Sequence, residues 1–378
     1  MEKNDGFISL DFERLNHNKM EANMEQFVGI LDQRQNEQPF IEQPVMEGVI
    51  EKVIQTAGTA PSGANQQPWT YVVIRDDKLK KEVRRLAEKK TLQNAEQLEK
   101  APLFVALFKQ KYAQKENKRI KHYYPNESTA ISAGFFLSAL LHSDLDYVAY
   151  PPLKELKELC HRPKNEESFL LFAVGYKKEV EGSYEQASHY YENLRKRRNV
   201  RDFSAETFDE HLLITALEAI MTTPFLNGGN YHFEVVSDSV TKQKIRQKAE
   251  EEEKKFYEQR ITDEWKEVLR PLGTDWRKPH LTDAPHLIVA FKGEESPQSI
   301  DALTNTGVAT GVLLSALHQA GLAILTHTPS PMTFLRDLLG RPKHEMPIVV
   351  LPVGFPIDNC KVPKITKKPL QEILVKHM

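Results

Sequence analysis

The feature that most constrains this chain is that it repeats itself. Phe40 and Phe203 stand 163 positions apart, as do Pro61 and Pro224, and as do Val72-Val73 and Val235-Val236. One ungapped register joins these segments. Further on, "ISAGFFLSALL" (131–141) matches "VATGVLLSALH" (308–318) at an offset of 177, and "HRPKNEESFLLFAVGY" (161–176) matches "GRPKHEMPIVVLPVGF" (340–355) at 179. A chain of 378 residues built this way is a tandem duplication, each copy long enough to bury a core. Val73 and Pro102 are 29 positions apart, whereas Val236 and Pro285 are 49 apart, so the second copy carries an insertion of 20 residues.

Each copy alternates helical and strand-like stretches. "VMEGVIEKVIQTA" (45–57) has apolar residues at helical spacing, while "YVVIR" (71–75) and "FEVVS" (233–237) read as short β-branched strands. "AGFFLSALLHS" and "TGVLLSALHQAG" read as buried helices, and "FLLFAVGY" and "IVVLPVGF" as the closing strands. The class is α+β. The polar stretch "VEGSYEQASHYYEN" (180–193) is the linker candidate, which divides the chain into 1–183 and 184–378.

With 51 basic against 53 acidic side chains, no excess of positive charge is available to grip nucleic acid or an anionic membrane. Cys160 and Cys360 are the two cysteines, too few and too far apart for a disulfide framework or a metal site. His122, His161, His189, His280 and His344 are scattered without metal-like clustering. The N-terminal "MEKNDGFISLDFERLNHNKMEANM" lacks the apolar core of a signal peptide, and no run reaches the roughly 20 apolar residues that span a bilayer. A cytoplasmic protein without membrane or nucleic-acid partners is expected.

Two short motifs carry chemistry. "NLRKRRNVRDF" (193–203) packs Arg195, Lys196, Arg197, Arg198 and Arg201 together, and forked guanidiniums suit bidentate bonds to a phosphate. The same run also suits a solvated basic face or a helix end that complements its dipole. Its first-copy counterpart "ILDQRQNEQPF" keeps Arg34 but has Gln35 and Gln38 in place of Arg198 and Arg201. "APSGAN" offers small residues, Ser62, Gly63 and Ala64, whose N–H groups a ligand can approach, and is otherwise an ordinary loop before a strand. Its counterpart has Phe225, Leu226 and Asn227. Each copy has kept what the other lost, as expected of a single site built from both.

These residues resemble the nitroreductase-like FMN flavoproteins, and within them the branch that removes halide from halogenated tyrosine. The resemblance is carried by "TAPSGANQQPW", "KRRNVR", "EEEEKKFY", "TDWRKPHLTDAP", "THTP", "LLGRPKHE" and "VLPVGF" and covers nearly all of both copies. Members of that family are homodimers with FMN at the subunit interface, so the resemblance implies a fused pseudo-dimer. It would comprise two nitroreductase-like domains, each a mixed sheet flanked by helices, with one working flavin site and one degenerate site. It carries FMN contacts onto Pro61, Ser62, Gly63, Arg197, Arg198, Asn199, Arg201, Thr326, His327, Thr328 and Arg341. Asn199 and His327 depart from the family's more usual Ser and Thr. Thr328 is the catalytic expectation, a hydroxyl for the flavin N5 that favours one-electron steps. In the first copy "VAYPP" (148–152) replaces "LTHTP" and removes both threonines.

The inserted segment holds "AEEEEKKFYEQR" and "LGTDWRKPH". Glu253 and Tyr257, four apart, share a helical face, and Lys278 follows on the return. Alone these residues describe an exposed acidic helix. Under the resemblance they form a lid that grips the zwitterion of a small aromatic amino acid, while the Ala64 N–H meets its phenolate. That implies reductive dehalogenation of halotyrosine. A general nitroreductase or NAD(P)H oxidoreductase acting on another aromatic, and a flavin-storing protein, are the alternatives. The chain has no Gly-rich dinucleotide fingerprint, so NAD(P)H would act at the flavin transiently or through a separate flavin reductase. With its interface partner already in cis, a monomer is expected.

Overall fold

The computed structural model describes residues 6–33, 39–90, 98, 100–115, 118–180, 183–222, 230–294 and 300–378. In the first copy the strands Trp69–Ile74, Leu103–Gln110, Glu166–Gly175 and Asp146–Tyr150 lie side by side in that order, all antiparallel. The second copy repeats the order with Tyr231–Val236, His286–Lys292, Met346–Gly354 and Ala323–Ile324. The duplication read from sequence offsets is therefore a duplication of topology. A fifth strand, Leu374–His377, leaves the end of the second copy and pairs in parallel with Trp69–Ile74 of the first.

The copies meet through two almost wholly buried helices, Pro125–Leu141 and Ala302–Gln319. They cross at a pair of glycines that the repeat register makes equivalent. A Cβ on Gly134 would lie 2.3 Å from the Val308 carbonyl oxygen, and one on Gly311 would lie 2.3 Å from that of Ile131. Only hydrogen fits there, so the backbones approach closely and one continuous core, including Phe135, Phe136, Val312 and Leu313, spans both copies. Helix Glu47–Gly58 of the first copy packs on Ser183–Leu194 of the second, and His17–Asp32 packs on His211–Thr222.

Two readings change. The linker candidate is helix Ser183–Leu194 from residue 183 onward, because Ser183, Ala187, Tyr190 and Leu194 recur at helical spacing and are buried. Residues 181–182 lie outside the described ones. The basic stretch "KQKYAQKENKRIKH" (109–122), which its charge alone would make a solvated loop, pairs Tyr112–Lys115 antiparallel with Lys118–Lys121. Both cysteines are buried thiols, and no helix among the described residues is long and apolar enough to cross a membrane.

Candidate active site across the two copies

The loop "PSGAN" is held by its own polar groups. The Gly63 N–H donates to Ser128 Oγ (3.1 Å) on the first-copy central helix, and the Gln67 N–H donates to Ser62 Oγ (2.9 Å). Ala64, Asn65 and Gln67 all have positive φ, at 48°, 56° and 49°. For Ala64 this left-handed geometry costs about 1 kcal/mol. Its N–H finds no acceptor among the described residues, and the residue lines a cavity. Gly63 is required for a reason sequence reading did not give: a Cβ there would lie 2.4 Å from the Tyr123 carbonyl oxygen of the same copy.

Facing that loop is the arginine run of the second copy. Arg197 is buried, donating to Asn199 Oδ1 and to the Thr59 carbonyl of the first copy, both at 3.2 Å, while its Nε has no partner. Arg198 donates to the Arg195 and Arg197 carbonyls, both at 3.0 Å. Asn199 donates to Thr326 Oγ1 (3.1 Å), so the Asn that departs from the family pattern ties the arginine run to "THTP". A pocket of about 50 Å³ opens between Pro61, Ser62 and Asn65 on one side and Arg197, Arg198, Asn199 and Arg201 on the other. Lys367 completes it, donating to the Ala60 carbonyl at 2.7 Å.

Among the described residues, four cations and no carboxylate line this pocket. Burial, followed by repulsion from Arg198, holds Arg197 down to about 10, and burial lowers Arg198 and Arg201 as well. Lys367 is driven well below the usual lysine range by burial and by Arg197 and Arg198. Uncompensated buried charge is costly, so the pocket calls for an anion. An orphaned guanidinium Nε within such a cradle fits a phosphate.

Arg201 also borders a second cavity of about 410 Å³. The first copy lines it with Gly63, Ala64, Tyr123 and Tyr124, and the second with Glu253, Tyr257, Lys278, Thr326, His327 and Thr328. Glu253 ends a long helix that loosens into a π-turn, Phe256–Arg260, carrying Tyr257. The Glu253 carboxylate pairs with the Lys278 ammonium at 3.4 Å, and both are buried. Burial raises the first and lowers the second, each opposed by the other's charge. Lys278 Nζ also donates to the Asp275 carbonyl. Tyr257 donates to the Thr274 carbonyl (3.3 Å), its hydroxyl pushed up to about 12, chiefly by burial. Thr328 lines the same cavity as Tyr124 of the other copy and opposes the rise that burial imposes on the Tyr124 hydroxyl.

His327 meets His280 edge to face, with ring centroids 4.9 Å apart. Neither Nε2 has a partner among the described residues. Burial, then the positive charges nearby, keeps both imidazoles neutral.

Of the residues expected here, Arg341 alone stands elsewhere. It lines neither cavity, because Glu345 four positions on takes its guanidinium in two bonds of 2.8 Å, with Glu234 3.7 Å away. Lys367 fills the cationic role instead. Its signal is the basic pair in "ITKKPL", which lies beyond the repeat and had no counterpart for comparison. At the pseudo-equivalent position in the first copy, Tyr150 replaces His327 and is buried in the apolar core. Arg34, Gln35 and Gln38, and Pro224, Phe225, Leu226 and Asn227, lie outside the described residues.

A family model described as the Nitroreductase family matches residues 31–176 and again 194–355. The chain belongs to the nitroreductase family. Two matched segments in one chain repeat the duplication seen in the sheets. Among relatives of this nitroreductase, the iodotyrosine deiodinase of Haliscomenobacter hydrossis is 38% identical over 227 residues, 56% of this chain and 99% of the relative. That of Hydra vulgaris is 34% identical over 260 residues, 64% of this chain and 93% of the relative. A crystal structure of oxidized iodotyrosine deiodinase bound to FMN and 3-iodo-L-tyrosine is 33% identical, covering 48% of this chain and 94% of that one at a TM-score of 0.41.

Proposed function

We propose that this nitroreductase is an FMN-dependent oxidoreductase that reductively dehalogenates halogenated tyrosine, at one site assembled from both copies. The observation that carries the proposal is the single cavity lined by Ala64 of the first copy and by Arg201, Glu253, Tyr257, Lys278 and Thr328 of the second. When bound and reduced, FMN would supply the two electrons that, with one proton, replace a carbon–halogen bond by carbon–hydrogen and release halide, the flavin ending oxidised.

The chain's own residues bind and orient. Arg197, Arg198 and Lys367 would hold the phosphate, with Pro61, Ser62, Gly63, Asn199, Thr326 and His327 around the remainder of the flavin. Arg201 would supply a fixed positive charge to the reduced flavin ring, and the Thr328 hydroxyl would be a hydrogen-bond partner for it. Glu253 would take the substrate ammonium, and Lys278 with Tyr257 its carboxylate. A zwitterion can enter between Glu253 and Lys278 and leave both charges paired, whereas a ligand with a single charge strands one of them. The Ala64 N–H would donate to the phenolate.

A separate flavin reductase or NAD(P)H itself supplies the electrons, the fused pair acts as a monomer, and the copies divide near residue 183. Cytoplasmic residence belongs to the same proposal. The test is anaerobic: reduce the FMN-loaded protein, add 3-iodotyrosine, and follow iodide and flavin absorbance. Iodide release with reoxidation is expected. Direct turnover of nitroaromatics with NAD(P)H, untouched by Lys278→Ala and without iodide release, would instead make it a general nitroreductase.

A further inference from the structure

The lid of the second copy rests on an aromatic residue of the first. Trp265, on the short lid helix Asp263–Leu269, lies face to face with Tyr123 at an interplanar angle of 27°, and both rings border the larger cavity. Tyr123 is itself fixed by the flavin-facing loop. Its N–H donates to Gln66 Oε1 (2.8 Å), and Gln66 Nε2 donates to the Lys121 carbonyl (2.9 Å) at the foot of the Tyr112–Lys115/Lys118–Lys121 hairpin. Thr262 caps the lid helix through the Trp265 N–H (3.2 Å), which sets the indole over that ring.

The sequence distributes these parts unequally. Pro102 and Ile131 are 29 positions apart, but their counterparts Pro285 and Val308 are 23 apart, so the first copy has six extra residues in the stretch that holds the hairpin. The 20-residue lid insertion is in the second copy alone. In a symmetric dimer every subunit carries both additions or neither. Fusion has let one copy keep the lid and the other its seat, and the two meet at the one cavity.

We propose that Tyr123 and Trp265 are positioning residues: their stack, made between the two copies, holds the lid closed and so keeps Glu253, Tyr257 and Lys278 in place for the substrate's amino-acid group. The contact and its effect on the lid stand on the geometry alone, while the effect on substrate rests on the function proposed above. The stack gives the lid a contact that does not depend on ligand charge.

The test is limited trypsin cleavage of the FMN-loaded protein at the exposed lid residues Arg260 and Lys266. Tyr123→Ala and Trp265→Ala should each speed lid cleavage about tenfold, the size expected of a stacked aromatic pair. The double variant should be no faster than either single one, and Tyr123→Phe should match wild type. FMN affinity should stay within about twofold, and KM for 3-iodotyrosine should rise about tenfold with kcat nearly unchanged. Unchanged cleavage in the single variants, multiplying effects in the double one, or a parallel loss of FMN affinity would overturn the proposal. Cleavage as expected in a protein that releases no iodide would uphold the latch and overturn the substrate reading instead.

Discussion

The Glu253 carboxylate and the Lys278 ammonium lie 3.4 Å apart, both buried, on the two arms of the lid. Lys278→Met leaves Glu253 buried and unpaired, a loss of about 3 kcal/mol at neutral pH. Burial already raises the Glu253 pKa, and removing Lys278 raises it further. Acid therefore neutralises the stranded carboxyl, and the penalty returns as pH rises through its folded pKa. Urea unfolding should show a larger deficit at pH 8 than at pH 5, and an equal deficit would contradict this.

FMN affinity should separate Lys367 from Arg341. Lys367→Ala removes a charge from a pocket that has no carboxylate and should weaken FMN binding about 10- to 100-fold by fluorescence titration. Arg341→Ala should change it by less than about twofold, because that guanidinium is already committed to Glu345.

At the helix crossing the usual effect of a glycine replacement should reverse. In an exposed helix Gly→Ala gains about 1 kcal/mol. At Gly134 or Gly311 the added methyl meets a carbonyl oxygen of the opposite helix, and a loss of about 1–3 kcal/mol is expected in chemical denaturation.

Stability should fall between pH 7 and pH 5. Burial, as the largest cause in each, holds His142 and His318 at about 4 and His280 and His327 well below the ordinary value. The unfolded chain takes up these protons near pH 6.5 while the folded chain does not, so stability is present above that pH and lost below it. Each histidine contributes up to about 1.4 kcal/mol per pH unit. Imidazole NMR signals of His280 and His327 should show no titration between pH 5 and pH 8.

What the sequence disclosed came from comparing the copies. The matched offsets foretold the repeated strand order, and Gly134 and Gly311 occupy matched positions in matched helices. Comparison has no purchase outside the repeat, so Lys367 went unseen in the C-terminal arm. Arg341 sat in a persuasive motif, but the partner that captures it, Glu345, is a matter of local geometry. Charge hid the pairing of residues 112–115 with 118–121, and the neighbouring Tyr123 that seats Trp265 does so through a contact between residues 142 positions apart. His280 looked like one of several scattered histidines until the chain brought it against His327.

The central claim is that two copies build one flavin site. Its most direct measurement is the amount of FMN bound per chain at saturation, taken by absorbance after unbound flavin is removed. One FMN per chain, abolished by Arg198→Ala combined with Lys367→Ala, is predicted. Two per chain, or one that survives that double substitution, would contradict it.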